Sequence, residues 1–133
     1  MTTKIKTSHF LKYELDRFLA FSARHRTDLK PANIQNLHPF ADRFSEYIKA
    51  SERITYCVAK AIEQLENKPR KPYQDIFIYY YLDEYTSFKT AELVGYAMSR
   101  YHYFKRQAMN EFTGFFNSFA AKEGLASVIE LVN

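Results

Sequence analysis

Apolar side chains recur at three-to-four spacing along most of this chain, a period that predicts helices rather than strands. Phe10, Leu11, Leu15, Phe18 and Leu19 mark an amphipathic helix over residues 8–23 with Ser8 as its N-cap, and Lys12, Glu14, Asp16 and Arg17 take the other face. Residues 27–39, TDLKPANIQNLHP, hold two prolines and no sustained period, and read as a linker from which Leu29, Ile34 and Leu37 can still reach a core. A long helix is predicted from residue 40 or 41 to residue 67, with Phe44, Tyr47, Ile48, Ile54, Val58, Ile62 and Leu65 as one stripe. It stops at the basic segment NKPRKP, where Pro72 suits the first turn of the next helix because its missing N–H costs nothing there. That helix, residues 73–82, carries Ile76, Phe77, Tyr80 and Tyr81, and DEYTS then offers Thr86 or Ser87 as a new N-cap.

Residues 87–106, SFKTAELVGYAMSRYHYFKR, have the spacing of a helix-turn-helix. Ala91 lies four residues before Gly95, and Val94, Tyr96, Tyr101 and Phe104 supply the apolar contacts that two short helices need where they cross. Only a small side chain fits at the closest approach, and glycine ends the first helix in a left-handed conformation without steric penalty. The second helix is expected to run on through Ala108, Met109, Phe112, Phe115, Phe116 and Phe119 to about Lys122, with Gly124 as its stop. The end, LASVIELVN, reads either as a last helical turn or as a short strand. The expected fold is all-α: a helical support region over residues 1–71, a helix-turn-helix module over 72–124 and a tail over 125–133.

Composition narrows this picture. In 133 residues, 47% hydrophobic and 26% charged residues suit one folded core, and three glycines and four prolines suit long helices with few turns. A net charge of +4 suits a polyanionic partner without demanding one. Cys57 is the single cysteine, so no disulfide within the chain is possible and a reducing cytoplasm is expected. The apolar run IFIYYYL is too short to span a bilayer, and no membrane association is expected. His9, His25, His38 and His102 lie far apart, no phosphate-cradling glycine loop occurs, and the adjacent Asp83 and Glu84 read as solvated charges at a helix end. Neither an enzyme nor a cofactor or metal is expected.

Residues 78–112, IYYYLDEYTSFKTAELVGYAMSRYHYFKRQAMNEF, resemble the C-terminal part of the ArpU family of phage transcriptional regulators, whose helix-turn-helix is similar to the fourth region of sigma factors. The matching residues are Tyr80, Tyr81 and Leu82, then Ala91, Glu92, Leu93 and Gly95, then Tyr101, His102, Phe104, Lys105 and Ala108. Residues 52–65 also look like the helix that precedes the module in that family. The resemblance implies a regulator of phage late genes for packaging, structure and lysis, acting on double-stranded DNA with RNA polymerase as a further partner. Two positions depart from the family pattern: Thr90 where an apolar residue is commoner, and Ala97 where a serine or threonine cap is usual, which leaves Ser99 as another start for the recognition helix.

On that reading Met98, Ser99, His102, Tyr103 and Arg106 face base edges, with Arg106 able to bond a guanine edge or a phosphate. Lys89, Arg100 and Lys105 are placed for phosphate, and Lys68, Arg70 and Lys71 for a further backbone contact from the preceding loop. Eleven tyrosines and twelve phenylalanines also raise the idea of a stacking platform for single strands, with Tyr79, Tyr85 and Tyr103 the rings expected at the surface. Two rival functions remain, a small-terminase-like DNA-packaging subunit and a helical adaptor for another protein. A homodimer through the long helix 40–67 is compatible with its stripe, which a core explains equally well.

Overall fold

The first and last described strands meet. In the computed structural model, which describes residues 3–37 and 46–133, strand β1 (Thr3–Lys6) pairs in parallel with strand β4 (Ile129–Val132), Thr3 opposite Ile129 and Lys6 opposite Val132. Ile129 and Leu131 point into the core, whereas Lys4 and Glu130 sit opposite each other outside and pair at 3.7 Å. The tail is therefore a strand, and the expected all-α class becomes a mostly helical fold with a small sheet. The edge of β4 is closed by a side chain: Asn117 donates to the Leu131 carbonyl (2.8 Å) and accepts from the Leu131 N–H (2.9 Å). A strand edge buried without such partners would leave two backbone groups unsatisfied.

From β1 the chain enters α1 (Thr7–His9), widens into a π-wound stretch (Phe10–Glu14) and continues as α2 (Leu15–Phe21). Ser8 is not the cap. The helix starts one residue earlier, at Thr7, because strand pairing already holds Lys6 in an extended conformation; Thr7 turns inward to bond the Thr113 hydroxyl at 2.6 Å. Residues 26–36 form two 3₁₀ turns, Arg26–Leu29 and Pro31–Asn36, and Leu29 and Leu37 are buried, so the predicted linker is packed against the body.

Helix α3 (Glu46–Gln64) buries Ile54, Cys57, Val58, Ala61 and Ile62 between α2 and the last helix. Its predicted start at residue 40 or 41, and Phe44, lie outside the described residues. A two-residue hairpin, β2 (Asn67–Lys68) and β3 (Lys71–Pro72), follows. Helix α4 (Tyr73–Phe77) then runs into a second π-wound stretch (Ile78–Leu82). Next come α5 (Ser87–Val94) and the 25-residue α6 (Met98–Lys122), which ends just before Gly124 at φ +74°.

Helix α6 is the axis of the molecule. Tyr101, Phe104, Ala108, Phe112, Phe116 and Ala120 form its buried stripe; Phe112 stacks on Phe77 with ring centres 4.9 Å apart, and Phe116 meets Phe10 at 5.6 Å. Each such ring, taken wholly out of water, contributes about 1.5–3 kcal/mol. The core is continuous from the N-terminal helix through α4 to the tail, with no break near residue 71 or residue 125. Among the described residues no helix is long and apolar enough to cross a membrane.

Candidate nucleic-acid interface

Helices α5 and α6 meet through three residues whose conformations follow from their side chains. Thr86 caps α5, its hydroxyl accepting from the Lys89 N–H at 3.1 Å, and the Thr90 hydroxyl donates back to the Thr86 carbonyl at 2.9 Å. At the other end Gly95 adopts φ +82°. Its N–H reaches the Glu92 carbonyl (3.2 Å) and the Tyr96 N–H reaches the Ala91 carbonyl (3.1 Å), the paired bonds that close a helix on a left-handed residue. A Cβ at Gly95 would meet nothing within 4 Å, so backbone conformation alone demands the glycine. Ala91 is buried at the crossing, as its size predicts.

Helix α6 begins at Met98. Ala97 holds the extended cap conformation without any side-chain hydrogen bond, and its carbonyl accepts from the Tyr101 N–H at 2.9 Å. Ser99 is thus inside the first turn and does not cap, which settles the orientation of the residues that follow. Ser99, Arg100, His102, Tyr103 and Arg106 are exposed, whereas Met98 is half-buried against the core. From Met98 to Asn110 the helix carries Arg100, Lys105 and Arg106 and no carboxylate.

Lys105 departs from the expected phosphate-facing position. It is four residues after the buried Tyr101 and therefore on the inner side of the helix, where its ammonium sits 3.6 Å from the centre of the Tyr80 ring. Burial lowers its pKa; the neighbouring Tyr80 acts in the opposite direction and the charge of Lys12 lowers it further. Lys89 is exposed but shares its charge with Glu92 at 3.4 Å. Arg100 lies with its guanidinium 5.6 Å from the Phe104 ring.

The basic loop lies against the α5–α6 turn. Tyr96 packs edge-on against Phe104 (ring centres 4.8 Å apart), and its hydroxyl donates to the carbonyl of Pro69 at the hairpin tip. Asn67 and Asp75 exchange two hydrogen bonds that tie the hairpin to α4. Lys68, Arg70 and Lys71 are exposed there, and Lys71 pairs with Glu66 at 3.5 Å. Pattern reading from the sequence did not find Tyr96 as the link between hairpin and turn; its place directly after Gly95 was the available signal.

The fold also brings Lys6, at the end of β1, to the groove that Arg106 lines together with Ser8 and Asn110. Nothing local in the sequence announces this, because residues 6 and 106 are 100 positions apart and meet through β1–β4 pairing and the Thr7–Thr113 hydrogen bond. Of the tyrosines expected at the surface, Tyr85 and Tyr103 are exposed, while Tyr79 is half-buried and stacks with Tyr85 at 6.2 Å. Cys57 is wholly buried, and that burial, with the charge of Glu123, pushes its thiol up to about 12. Among the described residues no group of three histidine, cysteine, aspartate or glutamate side chains is arranged to hold a metal ion. No family model, curated protein or solved structure matches the chain.

Proposed function

We propose that the protein is a sequence-specific binder of double-stranded DNA that regulates transcription, of the phage late-gene kind implied by its resemblance to the ArpU family. The observation that carries this reading is the pairing of α5 and α6 through a left-handed glycine turn, with Ser99, Arg100, His102, Tyr103 and Arg106 exposed on the first turns of a helix that carries no carboxylate before Glu111. In this reading α6 enters the major groove by its N-terminal end, Arg106 and His102 reach base edges, and Arg100 and Lys89 touch phosphate. The hairpin carrying Lys68, Arg70 and Lys71 follows the backbone beside it, held at that place by Tyr96.

Ile54, Val58 and Ile62 of the α3 stripe are buried within the chain, which favours a support role for that helix over a dimer face. A protein partner is favoured by a different observation: Phe88 is 70% exposed on α5, with Leu93 also at the surface. In a regulator this is the patch that contacts RNA polymerase; in an adaptor it would be the whole function. Selection from a random duplex pool on the purified protein separates the two. Convergence on one motif, with binding that weakens steeply in salt, is the expected result. A pool that never converges, with no salt-dependent retention, overturns the DNA reading in favour of the adaptor. A mass of many subunits by light scattering would favour the DNA-packaging ring.

A further inference from the structure

The two π-wound stretches, Phe10–Glu14 and Ile78–Leu82, lie 68 residues apart in sequence and side by side in the fold. A π turn displaces carbonyls from their usual helical donors, and such turns are common at binding sites. Here Arg26 takes one carbonyl from each, donating to Leu11 at 2.9 Å and to Tyr81 at 2.8 Å, while Asp16 (2.9 Å) and Glu84 (3.1 Å) hold its Nε. Its side chain is only 10% exposed, so it acts as a fixed staple between the two widened turns.

An open cleft of about 270 Å³ lies over this staple, lined by residues of both π turns and by Tyr85, Thr86 and Ser87. Lys12 is on its wall, with its ammonium 5.6 Å from the centre of the Tyr80 ring, and Lys105 approaches the same ring at 3.6 Å. Burial by itself would raise the pKa of Tyr80, but hydrogen bonding by Lys12 and the charge of Lys105 outweigh it and lower the value. Two cations thus share one phenol, and among the described residues neither has a carboxylate within ion-pair distance. The nearby carboxylates are engaged elsewhere, Glu84 by Arg26 and Asp83 by Lys30 at 2.7 Å. Arg26 is shared by Asp16 and Glu84 and Lys30 is matched by Asp83, so with Lys12 and Lys105 the cluster keeps one positive charge in excess, which an anion would relieve.

We propose that this cleft binds a phosphate group, held by the ammonium group of Lys12 on its wall and the Tyr80 hydroxyl, with Lys105 adding its charge from over the Tyr80 ring. Both ammonium groups lie within 5.6 Å of the centre of the one phenol ring, where their charge favours an anion bound beside its hydroxyl. The phosphate belongs either to a small phosphorylated molecule or to a nucleic-acid backbone. The site itself does not depend on the DNA reading, since none of its three residues is exposed on the outer face of α6.

The test is thermal melting of the full chain, titrated with inorganic phosphate against sodium chloride of equal ionic strength, for wild type, Lys12→Ala, Lys105→Met and Tyr80→Phe. A saturable rise in melting temperature specific to phosphate is expected in wild type, with at least a tenfold weaker response in either lysine variant and a smaller loss in Tyr80→Phe. Line broadening of the ³¹P signal should follow the same order. Lys12 is at the exposed rim, so its variant reports even if Lys105→Met folds poorly. Equal effects of phosphate and chloride, or a phosphate effect that survives in Lys12→Ala, would overturn the proposal. Duplex binding by Lys12→Ala then names the source. A salt slope shallower by about 1 identifies a backbone phosphate, and unchanged binding identifies a free phosphorylated ligand.

Discussion

The two halves of α6 are one continuous helix with opposite duties. Its C-terminal half buries Phe112, Phe116 and Ala120 and fastens the tail strand through Asn117. Its N-terminal half buries Tyr101 and Phe104 and leaves Ser99, Arg100, His102, Tyr103 and Arg106 to the solvent. The difference teaches that an exposed polar surface need not hold itself together. The distal turns fix the direction of the helix, so the proximal turns are free to carry residues that contribute little to stability.

The comparison breaks most sharply at Phe112. Phe112→Ala removes a fully buried ring stacked between Phe77 and Phe116, and should cost about 3–5 kcal/mol in urea unfolding. Asn117→Ala should cost about 2 kcal/mol, because the Leu131 N–H and carbonyl both lose their partner. Its specific sign would be faster amide exchange confined to residues 129–133. Gly95→Ala should cost about 1 kcal/mol through backbone strain alone, visible as a lower melting temperature with the fold retained. Tyr96→Phe keeps its ring on Phe104 and loses only the bond to Pro69, so unfolding should shift by under about 1 kcal/mol. Duplex affinity should nonetheless fall as the basic hairpin loosens. A stability loss from Tyr96→Phe as large as that from Asn117→Ala would place the hairpin in the structural half of the molecule.

Local signals were legible in the sequence. The buried Ala91, the left-handed Gly95 and the stop before Gly124 each follow from one residue's own preference and stand where the pattern put them, and of the two caps the sequence offers, Thr86 and Ser87, the structure uses Thr86. What depended on distant pairing was not legible. TKIK alternates too briefly to announce a strand and the tail reads as either a helical turn or a strand, and only their pairing across the fold makes them β1 and β4. The same pairing moved the helix start from Ser8 to Thr7. Lys105 was legible in principle: four residues from Tyr101, it shares that residue's inward side, and its charge had suggested the opposite. The π turns carry no periodic signature, so the cleft between Lys12 and Tyr80 emerged only from the packing.

The division of α6 is tested most directly by one pair of titrations on the same proteins. Wild type and His102→Ala/Tyr103→Ala/Arg106→Ala are compared in urea unfolding and in equilibrium binding to the duplex enriched from a random pool. The three residues are exposed, so stability should change by no more than about 1 kcal/mol. Duplex affinity should fall at least a hundredfold, on the scale of about 1–3 kcal/mol for each lost base contact. A variant that binds the duplex as wild type does would contradict the claim that this half of the helix reads DNA.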